Sequence, residues 1–242
     1  MNDASGPATF ATTRWSVVLA AGAGDPGRAR PALETLCAAY WFPLYADARR
    51  RGASRHRAED VVQGFFAALL EKGWVGDADP ARGRFRSFLL TAFRRFDAKE
   101  HERDVAAKRG GGRTVLSLDF DDGESRFQAE GPTEREPDRA FERRWALTLL
   151  ARALRRTSDA WAGTGDPRTF AALLPFIGGP GDARPYAELA ERLGTTEGAV
   201  KVAVHRLRAR YRENLRAEIR DTVADDAAVD DEMRHLRDAV AG

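Results

Sequence analysis

The chain has 242 residues, of which 43% are hydrophobic and 31% charged, enough apolar material for one large or two small domains. A single cysteine, Cys37, excludes an intrachain disulfide framework and a cysteine-rich zinc site. No apolar run approaches the roughly 20 residues of a membrane-spanning helix, and residues 1–10 do not resemble a secretory signal. We expect a soluble protein of the reducing cytoplasm without a membrane partner.

The net charge of +2 hides blocks of opposite sign. Residues 82–113 hold ten basic against four acidic side chains, and residues 195–220 hold seven against three. Residues 114–142 hold three basic against nine acidic side chains, and residues 221–242 hold two against seven. Two basic blocks indicate two places that meet a polyanion, although a solvated Arg-rich surface explains the charge equally well.

Apolar side chains recur at helical spacing along most of the chain, and strand-like alternation is limited to Thr114 to Leu118. The first predicted helix follows Asp25-Pro26 and stops at Gly52, and the second starts after Ser54. Its buried stripe is Ala58, Val62, Phe65, Phe66 and Leu69. Further helices are predicted from Phe85 to about Lys108, from about Phe141, and from Asp166-Pro167 to Gly178.

The glycine triplet Gly110 to Gly112 interrupts this pattern, because three glycines inside a helix carry a large entropic cost. From there to Pro137 the chain is acidic and aperiodic, which predicts an extended or disordered linker. The expected fold class is all-α, with two helical domains over residues 12–108 and 137–220, joined by a flexible acidic linker over 109–136. An acidic tail over 221–242 either folds back over the basic recognition face of the helix that starts at Glu197 or is solvated; its apolar residues have helical spacing: Val223, Met233, Leu236 and Val240.

The sharpest motif lies between Pro185 and Arg216. A short amphipathic helix from Tyr186 to Leu193 ends at Gly194, and Thr195 or Thr196 caps the next helix. That next helix buries one stripe: Val200, Ala203, Val204, Leu207 and Tyr211. Two helices joined by a tight glycine turn form a helix-turn-helix.

The outer face of the second helix has small or polar residues first and arginines later. This order suits insertion into a major groove, with base edges at the helix N-terminus and phosphates at the flanks. DNA binding is therefore favoured over a plain helix pair with a solvated basic face. The predicted DNA-contacting residues are Thr195, Thr196, Glu197, Gly198, Lys201, Val202, His205, Arg206, Arg208 and Arg212.

Other signals point to no chemistry. Asp119, Asp121 and Glu130 match three positions of a calcium loop, but Glu124 stands where that loop requires glycine. His56 lies near Glu59 without a further ligand set, and no phosphate-loop, nucleophile-elbow or zinc-protease motif occurs. We expect no metal, no cofactor and no catalytic activity.

Aromatic and basic residues interleave between Arg84 and Arg103, as in surfaces that bind single-stranded DNA. The segment His56 to Phe66 looks like sigma region 2.2, Arg84 to Arg103 looks like regions 2.3 and 2.4, and Tyr186 to Tyr211 looks like region 4.2. The chain thus resembles the bacterial sigma-70 family, in its short extracytoplasmic-function (ECF) group. It departs from the family pattern at Gly64, at Arg57 and in the Gly- and Pro-rich stretch Trp161 to Arg184.

The resemblance implies a sigma region 2-like bundle and a sigma region 4-like helix-turn-helix that bind core RNA polymerase at its clamp helices and flap, together with promoter DNA. Glu59, Asp60 and Gln63 are then the expected polymerase contacts. The acidic linker would mimic nucleic acid inside the polymerase or act as a spacer. The residues expected to capture the melted −10 strand are Arg86, Phe93, Arg94, Arg95, Lys99 and Arg103.

The function implied is transcription initiation at promoters with −10 and −35 elements, in the cytoplasm. The first alternative is a helix-turn-helix transcriptional regulator that does not replace sigma, and the second is a nucleic-acid-processing enzyme that uses Glu59 and Asp60. Control by an anti-sigma factor, by a regulatory kinase or by the acidic tail is left open by the sequence.

Overall fold

The computed structural model describes residues 26–72, 84–106, 118–131, 136–162, 166–178, 186–223 and 227–241. These ranges contain nine α-helices, one short 3-10 helix and no strand, which confirms the all-α class. The helices are α1 Pro26–Arg50, α2 Arg55–Lys72, α3 Phe85–Ala106, α4 Phe120–Glu130, α5 Pro137–Ala162, α6 Pro167–Leu173, the 3-10 helix Leu174–Phe176, α7 Tyr186–Leu193, α8 Glu197–Arg220 and α9 Ala228–Ala241. None of these described helices is long and apolar enough to span a bilayer.

The chain divides into two compact units. The N-terminal unit comprises residues 1–146 together with 220–242, and the helix-turn-helix unit comprises residues 147–219. Residues 118–131 of the expected linker and residues 227–241 of the acidic tail fall within the N-terminal unit. Within the predicted first domain, residues 12–25 lie outside the described part of the chain, as do the glycine triplet at 110–112 and the strand-like stretch at 114–117.

The turn between α1 and α2 forms as its residues dictate. Gly52 adopts a φ of 95°, a left-handed conformation that side chains disfavour. Its N–H donates to Arg49 O at 3.1 Å, and Ala53 N–H donates to Ala48 O at 3.1 Å. Ser54 then caps α2, with its Oγ accepting from Arg57 N–H at 3.2 Å. The predicted helix stop and helix start are both confirmed.

Aromatic side chains from α1, α2 and α3 fill the core of the N-terminal unit. All five residues of the predicted α2 stripe are buried. Phe65 meets Phe93 of α3 edge-on at a ring distance of 5.3 Å, and Tyr40 of α1 meets Phe85 at 5.6 Å. Each such side chain contributes about 1.5–3 kcal/mol when it is removed from water, so these contacts hold the three helices together.

The prediction of an extended or disordered linker is wrong for Phe120–Glu130, which forms α4 against α1. Asp119 caps this helix by accepting from Asp122 N–H at 3.0 Å. Phe120 packs edge-on against Trp41 at 5.5 Å, and a Cβ on Gly123 would lie 2.7 Å from the Trp41 ring. A glycine at this buried position therefore allows the two helices to approach closely.

A buried carboxylate anchors α4. Glu124 is 6% exposed and accepts from the Arg49 guanidinium at 2.9 and 3.0 Å and from the Tyr45 hydroxyl. These donors hold the pKa of Glu124 at about 2, with the Arg49 hydrogen bonds as the largest cause. The acidic segment is thus ordered by arginines of α1 that lie about 75 residues earlier in the chain.

The acidic tail is likewise ordered. Its helix α9 buries Val229 and Leu236 within the N-terminal unit, and Met233 and Val240 are half-buried. The expectation of a solvated tail is wrong for residues 228–241, whereas the predicted helical spacing is confirmed.

Candidate nucleic-acid interface

A left-handed glycine and a threonine cap form the turn between α7 and α8. Gly194 adopts a φ of 62°, and Thr195 N–H donates to Ala190 O at 2.9 Å, which closes the end of α7. Thr196 caps α8, because its Oγ1 accepts from Ala199 N–H at 3.2 Å. The predicted turn is confirmed, and of the two candidate caps the structure selects Thr196.

An apolar cluster fixes α7 and α8 on their inner faces. Leu189 and Ala190 pack with Val200, Val204 and Leu207 of α8. The remaining buried members come from α6 and the 3-10 helix: Phe170, Leu173 and Phe176. Of the predicted α8 stripe, Ala203 and Tyr211 are only half-buried. Since the inner faces are occupied, the opposite face of α8 is presented outward.

The N-cap of α6 supports this cluster. Asp166 accepts from Arg168 N–H and Thr169 N–H, each at 3.2 Å, and these backbone hydrogen bonds lower the pKa of its carboxyl. Pro167 occupies the first turn. The predicted Asp-Pro helix start is confirmed, and the cap orients the segment that supplies Phe170 to the core.

Nine of the ten residues predicted on the outward face are exposed. The exception is Arg208, which is half-buried and donates from Nε to the Phe176 carbonyl at 2.7 Å. Its Nη2 is buried without a hydrogen-bond partner among the described residues. The prediction of Arg208 as a solvent-facing phosphate contact is wrong for this structure, because the residue borders the buried stripe and fastens α8 to the 3-10 helix.

Both signs of charge occur at the start of α8. Glu197 and Lys201 form an exposed ion pair at 2.7 Å, and the Glu197 hydrogen bond raises the pKa of Lys201. His205, Arg206 and Arg212 are exposed further along. The first turns thus offer a carboxylate acceptor and an ammonium donor, whereas the later turns offer the exposed Arg206 and Arg212 beside the exposed Glu213. Base edges are recognised by hydrogen-bond acceptors and donors such as those of the first turns, whereas phosphates are bound by cations.

The second predicted DNA surface, on α3, is only partly available. Arg95 and Lys99 are exposed, and Arg94 is half-buried and bound to Asp47 at 2.8 Å and Asp138 at 2.7 Å. The side chain of Arg103 lies outside the described residues. The structure therefore leaves two of the six predicted residues open to solvent.

Phe93 and Arg86 are interior residues. Phe93 is fully buried against Phe65, so the prediction of Phe93 as a stacking partner for bases is wrong. Arg86 is 2% exposed, contacts both carboxylate oxygens of Glu232 at 2.7 and 2.5 Å, and lies 4.3 Å from the Trp145 ring. The expectation that Arg86 is an exposed strand contact is likewise wrong for this structure.

The predicted polymerase contacts lie on α2. Asp60 is exposed, Gln63 is half-buried, and Glu59 accepts from Arg55 Nε at 2.7 Å. The structure shows contacts at both positions that depart from the sigma-70 pattern. Arg57 pairs with Asp97 at 2.9 Å, and a Cβ on Gly64 would lie 3.4 Å from the Phe96 ring.

Sequence reasoning missed a polar cleft of about 470 Å³ where the turn between α1 and α2 meets α3. Its charged wall consists of Arg51 and Arg57, which share Asp97 at 2.8 and 2.9 Å, and of His101. Arg51 and Asp97 lie 46 positions apart in the sequence, so no short motif predicts that they meet. Both arginines of this cleft are paired with Asp97 in this structure.

Two further expectations concern chemistry. Cys37 is buried, and burial raises the pKa of its thiol well above the usual value, so the predicted core role is confirmed. In the part of the chain that the structure describes, no group of three or more His, Cys, Asp or Glu side chains is arranged as a metal site.

Comparison of the chain with protein-family models, curated proteins and solved structures gives no match. The functional assignment therefore depends on the sequence patterns and on the geometry described above.

Proposed function

We propose that the chain is an RNA polymerase sigma factor of the ECF group, which binds core polymerase, recognises −35 and −10 promoter elements and directs transcription initiation in the cytoplasm. The observation that carries the proposal is the helix-turn-helix formed by α7 and α8, whose outward face is exposed and graded from mixed polar groups to arginines. In this proposal the chain has no catalysis of its own, and the N-terminal and helix-turn-helix units act as the sigma region 2-like and region 4-like domains.

The helix-turn-helix geometry supports recognition of the −35 element. Thr195, Thr196 and Gly198 leave the start of α8 free of bulk, so backbone and short side chains approach the base edges closely. Glu197 accepts from a cytosine amino group, and Lys201 or His205 donates to guanine. Arg206 and Arg212 then meet the flanking phosphates.

The N-terminal unit supports polymerase docking. Asp60 presents a carboxylate on α2 on the side away from the buried stripe, where it complements arginines of the polymerase clamp helices. Arg95 and Lys99 on α3 supply cations for the melted strand. The order of these surfaces along the chain matches the order that the sigma resemblance implies.

One observation favours a second candidate, a helix-turn-helix regulator that does not replace sigma. Arg86 and Phe93, two of the six residues assigned to strand capture, are buried. A regulator needs the α8 surface alone, and it has no need of a strand-binding face in the N-terminal unit.

Reconstitution with core polymerase tests the proposal. The full chain should co-migrate with core polymerase in gel filtration and produce run-off transcripts from a subset of a genomic promoter library. A Lys201→Ala, His205→Ala double variant should keep polymerase association and lose promoter selection. A chain that selects duplex DNA but neither associates with polymerase nor initiates transcription would establish the regulator instead.

A further inference from the structure

The acidic helix α9 covers the N-terminal end of α3. Asp231 pairs with Arg84 at 3.2 Å, and Glu232 pairs with Arg84 at 3.5 Å and with Arg86 at 2.5 Å. These arginines lie almost 150 positions before their partners in the chain. The contact is therefore a long-range tertiary interaction within the N-terminal unit.

We infer that Arg84 and Arg86 form an anion-binding surface, that α9 occupies it as an internal competitor, and that single-stranded nucleic acid displaces α9 by offering phosphates in place of its carboxylates. The inference deepens the proposed function and rests on it in one respect: the melted strand is proposed to follow α3, where Arg95 and Lys99 are exposed. The occupied surface is then a closed form of that site.

The burial of Arg86 makes an anionic partner obligatory. With 2% of its surface exposed, its guanidinium has lost most of its hydration, and an unpaired charge in such a place is strongly unfavourable. The other nearby carboxylate, Glu142, is 3.4 Å away. Glu232 therefore supplies the principal counter-charge while α9 is docked, and release of α9 makes both arginines available to another anion.

The geometry of the pair fits a phosphate equally well. Arg86 Nη1 contacts both oxygens of Glu232, and a guanidinium N–H group donates to phosphate oxygens as it does to carboxylate oxygens. The Trp145 ring, 4.3 Å from the guanidinium, holds it in one orientation. Arg84, one residue before α3 and only half-buried, offers a second cation for the next phosphate along a strand.

The competitor must be a polyanion because α9 belongs to the same chain. A tethered helix has a high effective concentration at its binding surface, so one free phosphate ion competes poorly. A strand of nucleic acid engages several cations at once and releases counterions. Arg95 and Lys99, exposed further along α3, extend the same strand path.

The packing of α9 permits such an exchange. The helix has 14 residues, and only Val229, Glu232 and Leu236 are buried. One of these three contacts is thus the ion pair itself. Weakening the ion pairs of Glu232 with Arg84 and Arg86 therefore shifts the balance between docked and released α9.

Glu232→Gln in the full chain tests the inference, because it keeps the shape and removes the charge. We expect binding to a labelled single-stranded oligothymidine of about 20 nucleotides to tighten by about fivefold or more. The salt slope should steepen by about 0.7 for each phosphate newly engaged. Asp238→Asn removes the same charge from an exposed position of α9 and should change neither quantity.

Two further variants test whether the gain in oligothymidine affinity depends on the surface formed by Arg84 and Arg86. Adding Arg86→Gln to Glu232→Gln should abolish the gain, whereas its persistence would overturn the inference. A gain of equal size in Asp238→Asn would also overturn it, since net charge alone would then explain the result. Unaltered binding by a folded Glu232→Gln chain would assign α9 a structural role only.

Hydrogen exchange in the unmodified chain provides a readout that requires no variant to fold. Addition of oligothymidine should accelerate amide exchange across Ala228–Ala241, and unchanged exchange at saturating oligonucleotide would overturn the competition. Release by polyglutamate of matched charge, but not by DNA, would overturn the assignment to nucleic acid. Both measurements omit polymerase, so they succeed or fail independently of the transcription test.

Discussion

Val202 exposes half of its surface on the outward face of α8, and it is the one large apolar side chain so exposed among the described residues. One turn earlier, a Cβ on Gly198 would find its nearest neighbour only at 4.0 Å. Under the proposed function, this open space lets α8 approach a DNA groove closely enough for a short valine to reach a base. In a major groove the apolar group available to valine is the thymine methyl.

We predict that Val202→Ala reduces the preference for thymine over deoxyuridine at one promoter position. The thymine methyl contact is worth about 0.8 kcal/mol, or roughly fourfold in affinity. Selection from random duplexes containing thymine or deoxyuridine measures the preference. His205→Ala should lower affinity yet keep the preference, and an undiminished preference in Val202→Ala would contradict the contact.

Arg208 and Arg212 lie one turn apart on α8 and should behave differently. Arg208→Ala loses the hydrogen bond to Phe176 and should lower stability by about 1–3 kcal/mol, without altering the salt dependence of DNA binding. Arg212→Ala should leave stability unchanged and flatten the salt slope by about one. Thermal unfolding and salt titrations measure the two effects; a flatter slope in Arg208→Ala would restore its predicted phosphate role.

The helix α4 should be sensitive to acid because of Glu124. The pKa of Glu124 is about 2 in the folded chain against the usual 4.5, mainly because Arg49 donates to the carboxylate. The ionised carboxylate thus stabilises the fold above about pH 4.5, and this contribution is lost as the pH falls towards 2. We expect the unmodified chain to lose more stability than Glu124→Gln over this range.

Denaturant unfolding at several pH values checks this prediction. The Glu124→Gln chain should start less stable at pH 7, because Arg49 retains only a neutral partner. The two stability curves should then converge as the carboxyl of the unmodified chain becomes protonated. Parallel curves across the whole range would show that Glu124 does not carry the acid sensitivity.

The helices that could be predicted are those with a regular apolar stripe and recognisable ends. Gly52, Asp166 and Gly194 mark helix boundaries in the sequence because their local chemistry dictates them. The helix α4 could not be predicted in this way, because two of its three buried positions are Gly123 and Glu124. In a sequence, glycine is typical of a turn and glutamate of an exposed position. The residues that bury them lie about 75 positions away or more.

The same limit applies to the candidate site. The outward face of α8 could be predicted because the positions of its buried residues along one helix determine which residues lie on the opposite side. Arg86 and Phe93 share one helix with the exposed Arg95, and interleaved aromatic and basic residues do not reveal which of them a distant element covers. Glu232, almost 150 residues later, decides the environment of Arg86.

At the scale of the whole molecule, long-range ion pairs join carboxylates to arginines within each of the two units. In the N-terminal unit, carboxylates of α4 and α9 pair with arginines at Arg49, Arg84, Arg86 and Arg144. In the helix-turn-helix unit, buried Glu218 binds Arg152 at 2.6 Å and Arg156 at 2.8 Å. On the two surfaces proposed to meet DNA, Lys201, Arg206 and Arg212 of α8 and Arg95 and Lys99 of α3 are exposed.

The proposed function assigns polymerase binding and −35 recognition to different units, and Asp60→Ala separates them. Asp60 is exposed on α2, so its removal should cost about 1 kcal/mol, or roughly fivefold, in affinity for core polymerase. Binding of a selected −35 duplex should not change, because α8 is untouched.

Fluorescence titration with core polymerase and with the duplex measures both affinities for one preparation. The conservative Asp60→Glu should restore polymerase affinity, since it keeps the charge. Equal losses for polymerase and duplex in Asp60→Ala would show that the two units do not divide the work.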